Sequence, residues 1–316
     1  MQILLWTLIL VSSLAVAAAA SQVFAAKAEE GARASKLSPF FWGVVLMALG
    51  VSLPELVIST VASAKGYSSF VPAYVWGANL VNLLLIMGIC ALTTRTLSVQ
   101  KESTIRQVPL LLGTLFLLVV LSADGSLTAI EGGVLLLALG VFLAARREDH
   151  KQGLMDRISQ LFNMEAWSAP LALTLLLSAA ALVAGAYFTV TGVIEISEMQ
   201  NWLPSVLGGS VVALGVSAPE MLLAHRAAKR GNGDAVVSLL VASTVLNATL
   251  VMAIPSFFGT LNVTGDTLNL ALPFLLIALI LFTFSTLQKK WSAYEGALMI
   301  LLYLVFLLQF INPLFS

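Results

Sequence analysis

The sequence predicts an all-α polytopic membrane protein: ten transmembrane helices in two inverted five-helix repeats, with both termini outside the cytoplasm. Three observations carry this expectation. Of 316 residues, 59% are hydrophobic and 10% charged, with a mean hydropathy of +0.98, which excludes an ordinary soluble domain of this length. The segment Ala48-Leu49-Gly50-Val51-Ser52-Leu53-Pro54-Glu55 returns 165 residues later as Ala213-Leu214-Gly215-Val216-Ser217-Ala218-Pro219-Glu220. The lysines and arginines fall almost entirely in alternate loops.

Ten apolar stretches approach the ~20 residues a helix needs to cross a bilayer: 3–26, 40–62, 70–92, 108–122, 127–145, 166–194, 206–224, 235–258, 268–284 and 293–311. With the N-terminus outside, the inward loops hold Lys27, Arg33 and Lys36, then Arg95, Lys101 and Arg106, then Arg146, Arg147, Lys151 and Arg157, then Arg226, Lys229 and Arg230, and finally Lys289 and Lys290. Only Lys65 falls outside. Cytoplasmic loops carry the excess of basic residues, so the partition sets the orientation and tests the number of spans. Residues 1–20 read as the first span and not as a cleaved leader, because Met1-Gln2 has no basic start and the basic cluster follows the apolar run.

The duplication extends beyond the octapeptide. Gly43 matches Gly208, Lys65 matches Arg230, Met87 matches Met252, and Asn82 follows Glu55 at the spacing by which Asn247 follows Glu220. The halves are expected at 1–147 and 164–316, with ion-binding motifs at 48–82 and 213–247, joined by a solvated cytoplasmic linker at 148–163. Five spans per half is an odd number, so the second half enters the membrane the other way round, and a pseudo-two-fold axis in the membrane plane brings the two glutamates together at mid-depth. The first and sixth spans share small-residue runs, Ala15 to Ala20 and Ser178 to Ala186. Such runs suit either tight static packing or a gate sliding past a core.

A glutamate inside an apolar span is costly, about 2.5–3.5 kcal/mol or more, and normally marks an ion or proton pathway. On a helix Ala48, Ser52, Glu55 and Ser59 share one face, as do Ala213, Ser217, Glu220 and Ala224. Pro54 and Pro219 remove the donor that would pair with the carbonyl of Gly50 or Gly215, so each copy is expected to break its helix just before the acid and expose main-chain oxygens. The next helices add Asn79 and Asn82 from the first copy, and Ser243, Thr244 and Asn247 from the second. For Asn79, packing and ion contact remain equally open. Two carboxylates among neutral oxygens suit hard cations, and Ca²⁺ fits the charge best. The single Cys90 reads as a packing residue, His150 and His225 as solvated or interfacial, and Asn262-Val263-Thr264 as a chance sequon.

At these residues the chain resembles the calcium/cation antiporter superfamily, in its sodium/calcium exchanger branch. The first signature reads Gly50-Val51-Ser52-Leu53-Pro54-Glu55 followed by Gly77-Ala78-Asn79-Leu80-Val81-Asn82. The second reads Gly215-Val216-Ser217-Ala218-Pro219-Glu220 followed by Ala242-Ser243-Thr244-Val245-Leu246-Asn247. The resemblance implies that Glu55 and Glu220 are shared ligands of calcium and sodium, completed by Asn82 and Asn247. It assigns Ser52, Ser217 and Ser243 to flanking sodium sites with the carbonyls of Ala48 and Ala213, and turns the carbonyls of Val51 and Val216 toward calcium. Val51, Val216 and Ala78 stand where many members carry hydroxyls, so the calcium ligands are better kept than the sodium ligands.

The expected function is secondary antiport of Ca²⁺ against Na⁺ by alternating access. The alternatives are exchange of Ca²⁺ or another cation for H⁺, a passive cation channel, or a non-transporting scaffold. Paired carboxylates also admit an intramembrane enzyme, but no nucleophile or metal triad accompanies them. No cofactor is expected beyond the transported ions. The expected partners are the lipid bilayer and the cations, with no nucleic acid and no obligatory protein partner, in the plasma membrane of a prokaryotic cell.

Overall fold

The computed structural model describes residues 1–34, 47–145 and 168–312. The expected linker at 148–163, residues 40–46 of the second apolar stretch, and Gly43 lie outside the described residues. Helices occupy all ten expected stretches: α1 (Gln2–Ala34), α2 (Met47–Ala64), α3 (Phe70–Thr94), α4 (Gln107–Leu121), α5 (Ala129–Ala145), α6 (Ala169–Gln200), α7 in two parts (Pro204–Val216 and Ala218–Lys229), α8 (Gly233–Ser256), α9 (Gly265–Leu287) and α10 (Ala293–Ile311). Six of them are long and apolar enough to cross a membrane, and the bent pair of α7 makes a seventh if it is one span. Among the described residues α2, α4 and α5 are shorter apolar helices.

Local chemistry sets the helix ends. Ser168 caps α6 by accepting from the Leu171 amide, with Pro170 in the first turn, where its missing donor has no partner to lose. Thr128 and Glu131 cap α5 reciprocally, as Ser292 and Glu295 cap α10. The two boxes occupy repeat-equivalent places to within one residue.

Four short strands tie the halves together. β1 (Thr96–Ser98) pairs antiparallel with β4 (Lys290–Ser292), Leu97 opposite Trp291. β2 (Ser126–Leu127) pairs antiparallel with β3 (Leu261–Asn262), Leu127 opposite Leu261. The 165-residue offset carries β1 onto β3 and β2 onto β4, so it exchanges the two ladders, as a two-fold relation between halves requires. Each ladder also joins two loops that the charge partition assigns to one side. Further ties respect the same assignment: the Asp234 carboxylate accepts from the Lys101 amide at 2.9 Å, and the Asn262 amide donates to the Ser68 carbonyl at 3.3 Å.

The core is built from α3 and α8. Phe70 to Leu80 is buried without interruption, and α8 buries Val236, Val237, Leu240, Val241 and Val245. A helix apolar all round and buried all round belongs at the centre of a bundle. By contrast α1 and α6 leave Leu4, Leu5, Leu8, Leu173, Leu176 and Phe188 exposed. They pack along each other through small residues: a Cβ on Gly185 would lie 2.9 Å from the Ala17 amide nitrogen, and Ser13 shares a 2.9 Å hydrogen bond with Thr189. Small residues permit this approach where no water drives helices together.

Candidate functional site

Glu55 lies mid-way along α2, and Glu220 lies in the first turn of the second part of α7. Both are wholly buried and within electrostatic reach of each other. The two copies of the motif do not fold alike. α7 breaks between its parts with a bend of 43°, Ser217 standing at the break with ψ near zero, whereas α2 runs continuously through Pro54. The expected break is therefore found only in the second copy. Gly208-Gly209-Ser210 open a π-helical stretch, Gly208–Val212, that loosens α7 before its proline.

The asparagines sit at equivalent backbone irregularities. Asn82 lies in the π-helical stretch Val81–Ile86 of α3, and Asn247 opens the π-helical stretch Asn247–Val251 of α8. Such stretches turn a side chain away from its regular helical direction and free backbone groups. Asn82 reaches across the halves and donates from Nδ2 to Ser243 Oγ at 2.9 Å. Ser243 in turn donates to Glu220 Oε1 at 2.5 Å. This chain joins three of the expected residues directly.

The remaining polar atoms of these residues lack protein partners. Both Glu55 oxygens, the second Glu220 oxygen, the hydroxyls of Ser52, Ser217 and Thr244, the Asn82 carbonyl oxygen, and both amide atoms of Asn79 and Asn247 are buried with no protein hydrogen-bond partner. Buried polar groups are nearly always paired, so a cluster of this kind points to a ligand. Oxygens predominate in it, and among the described residues no group of three His, Cys, Asp or Glu side chains could hold a metal ion. Hard cations match such donors; zinc and copper, which favour thiolate and imidazole, do not.

Ala213 and Val216 are buried at the break of α7, and Ala48 and Val51 lie in the first turns of α2. Both amide atoms of Asn79 are as unpartnered as the Asn82 oxygen. Two further buried hydroxyls accompany them: Ser59, expected on the face of Glu55, and Tyr74, which the sequence does not mark. Ser59 is buried and unpaired one turn beyond Glu55, and Tyr74 is buried with an unpaired hydroxyl within electrostatic reach of both glutamates. Tyr74 lies one turn before Ala78 on the same face of α3, but beside Phe70, Val75 and Trp76 an aromatic there reads as core.

The sodium/calcium exchanger protein family matches residues 5–146 and 170–312. The chain belongs to that family. It is a multi-pass membrane protein and a member of a family of ion transporters. The sodium/calcium exchanger MaX1 of Methanosarcina acetivorans is 27% identical over 338 residues, 95% of this chain and 97% of that one. Among solved structures, the sodium-calcium exchanger NCX_Mj soaked with 10 mM Na⁺ is 24% identical over 96% of this chain and 98% of that one, with a TM-score of 0.64. The H⁺/Ca²⁺ exchanger CAX is 16% identical over 96% of this chain and 82% of that one, with a TM-score of 0.77. These likenesses to solved structures establish the fold.

Proposed function

We propose that this chain is a secondary-active antiporter that exchanges Ca²⁺ for Na⁺ by alternating access around one site shared by both halves. The observation that carries the reading is the pair Glu55 and Glu220, one from each copy of the duplicated segment, wholly buried amid oxygens that lack protein partners. Two carboxylates balance one divalent ion; without it their repulsion in a buried site is unfavourable, so exchange for other cations is favoured over an empty return.

In this reading all ten helices cross the membrane with both termini outside, and 1–147 and 164–316 act as inverted halves around the linker. Glu55, Glu220, Asn82 and Asn247 surround calcium with the carbonyls of Val51 and Val216. Ser52, Ser217 and Ser243 serve flanking sodium ions with the carbonyls of Ala48 and Ala213. The smooth contact of α1 with α6 is the sliding element. Likeness to a protein named a sodium/calcium exchanger over nearly its whole length supports sodium as counter-ion. The methyl groups of Val51, Ala78 and Val216 support the second reading, proton as counter-ion, because each removes an oxygen that Na⁺ could use in place of its hydration shell.

The test is uptake of radioactive calcium by sealed vesicles holding the purified protein, under a sodium gradient, a pH gradient, or neither. Uptake driven by sodium is the expected result. Uptake driven by pH alone transfers the exchange to protons, uptake without either gradient means a channel, and no uptake means a scaffold.

A further inference from the structure

The two halves of the site are unequal at one position. In the second repeat Ser243 gives its hydroxyl to Glu220. Its equivalent in the first repeat, 165 residues earlier, is Ala78, and Glu55 has both oxygens unpartnered. One turn before Ala78, on the same face of α3, stands Tyr74, wholly buried, its hydroxyl also unpartnered. Tyr74 lies within electrostatic reach of both Glu55 and Glu220. Its ring stacks on Phe70 at 5.9 Å with 12° between planes. The repeat-equivalent of Tyr74 is Leu239, so the tyrosine occurs only in the half that lacks the serine.

We infer that Tyr74 supplies the missing oxygen of the first half-site and is a specificity-determining residue for the monovalent ion. The inference rests on the antiport reading. A buried phenol oxygen and a buried carboxylate, neither paired with protein, are satisfied together by a cation placed between them. One carboxylate with neutral oxygens from Tyr74, Ser52 and Asn79 matches a single charge, whereas calcium draws on both carboxylates. Removing the phenol oxygen therefore weakens sodium more than calcium.

The experiment is calorimetric titration of Ca²⁺ into the purified full chain in detergent at fixed pH, repeated at rising Na⁺. Wild type is expected to bind Ca²⁺ and release it to Na⁺. In Tyr74→Phe, which keeps the ring and its stacking, the half-displacing Na⁺ concentration should rise about tenfold, the equivalent of about 1.4 kcal/mol, while calcium affinity changes less than about twofold. Adding Ala78→Ser should bring the sodium curve back toward wild type. If Tyr74→Phe is not monodisperse, Tyr74→Leu, matching the second repeat, reads the same loss. Superimposable sodium curves, equal weakening of both ions, or no rescue by Ala78→Ser would overturn the role of Tyr74. Failure of wild type to bind Ca²⁺ would overturn the antiport reading and this inference with it, and the wild-type titration alone distinguishes that case.

Discussion

Asn82 and Ser243, 161 residues apart and one from each half, are joined by a 2.9 Å hydrogen bond inside the protein, and Ser243 passes a second bond on to Glu220. The pair makes the two halves of the site one unit: neither asparagine nor serine can move without disturbing the carboxylate of the second copy. Hydrogen bonds to charged groups contribute about 1.5–3 kcal/mol, more than neutral ones. Ser243→Ala should therefore raise by about tenfold the Na⁺ concentration that half-displaces bound Ca²⁺, with calcium affinity itself changing less. Calcium titration of the purified variant at rising Na⁺ reads the effect directly.

The close crossing of α3 and α7 gives a stability prediction. A Cβ on Gly77 would collide with the carbonyl of Gly209, and one on Gly209 would lie 2.8 Å from the Ala73 carbonyl oxygen. Backbone cannot give way as a flexible side chain does, and overpacking costs about 1–3 kcal/mol. Gly77→Ala should lower the thermal unfolding temperature in detergent measurably. Gly113→Ala, at a helical position with open space around it, should not.

The topology is tested by labelling single cysteines introduced after Cys90, itself buried, has been replaced. Gln100→Cys lies beside β1, and Ala123→Cys and Gly259→Cys lie near the two strands of the β2–β3 ladder. The charge partition assigns 100 to the cytoplasm and the other two to the outside. Impermeant reagent should label 123 and 259 in intact cells and 100 only after the membrane is opened. Labelling of 123 and 259 from opposite sides would contradict the ladder that joins their loops.

What could be read in advance follows from where the physics is local. Glu55 and Glu220 announce themselves because an ionisable group in an apolar stretch is expensive wherever it sits, and the 165-residue repeat pairs them without any coordinates. The helices at all ten stretches are equally legible, since apolar runs of that length have few other uses. The difference between Pro54 and Pro219 is not: two nearly identical octapeptides give one continuous and one broken helix, because the path of a helix through a proline depends on tertiary contacts that the octapeptide does not carry. Nor do the π-helical stretches at Asn82 and Asn247 have a compositional mark; a shift of hydrogen bonding by one residue leaves the hydropathy unchanged. Tyr74 was hidden among Phe70, Val71, Val75 and Trp76, where an aromatic reads as core until its hydroxyl is seen without a partner.

The central claim is that Glu55 and Glu220 form one cation site, and calcium flux through vesicles holding Glu55→Gln or Glu220→Gln tests it most directly. Each substitution keeps the shape and removes one negative charge, leaving a site that cannot balance a divalent ion. The account predicts that either variant alone, still folded and monodisperse, loses gradient-driven calcium uptake almost completely. Uptake at the wild-type rate in either one would contradict it.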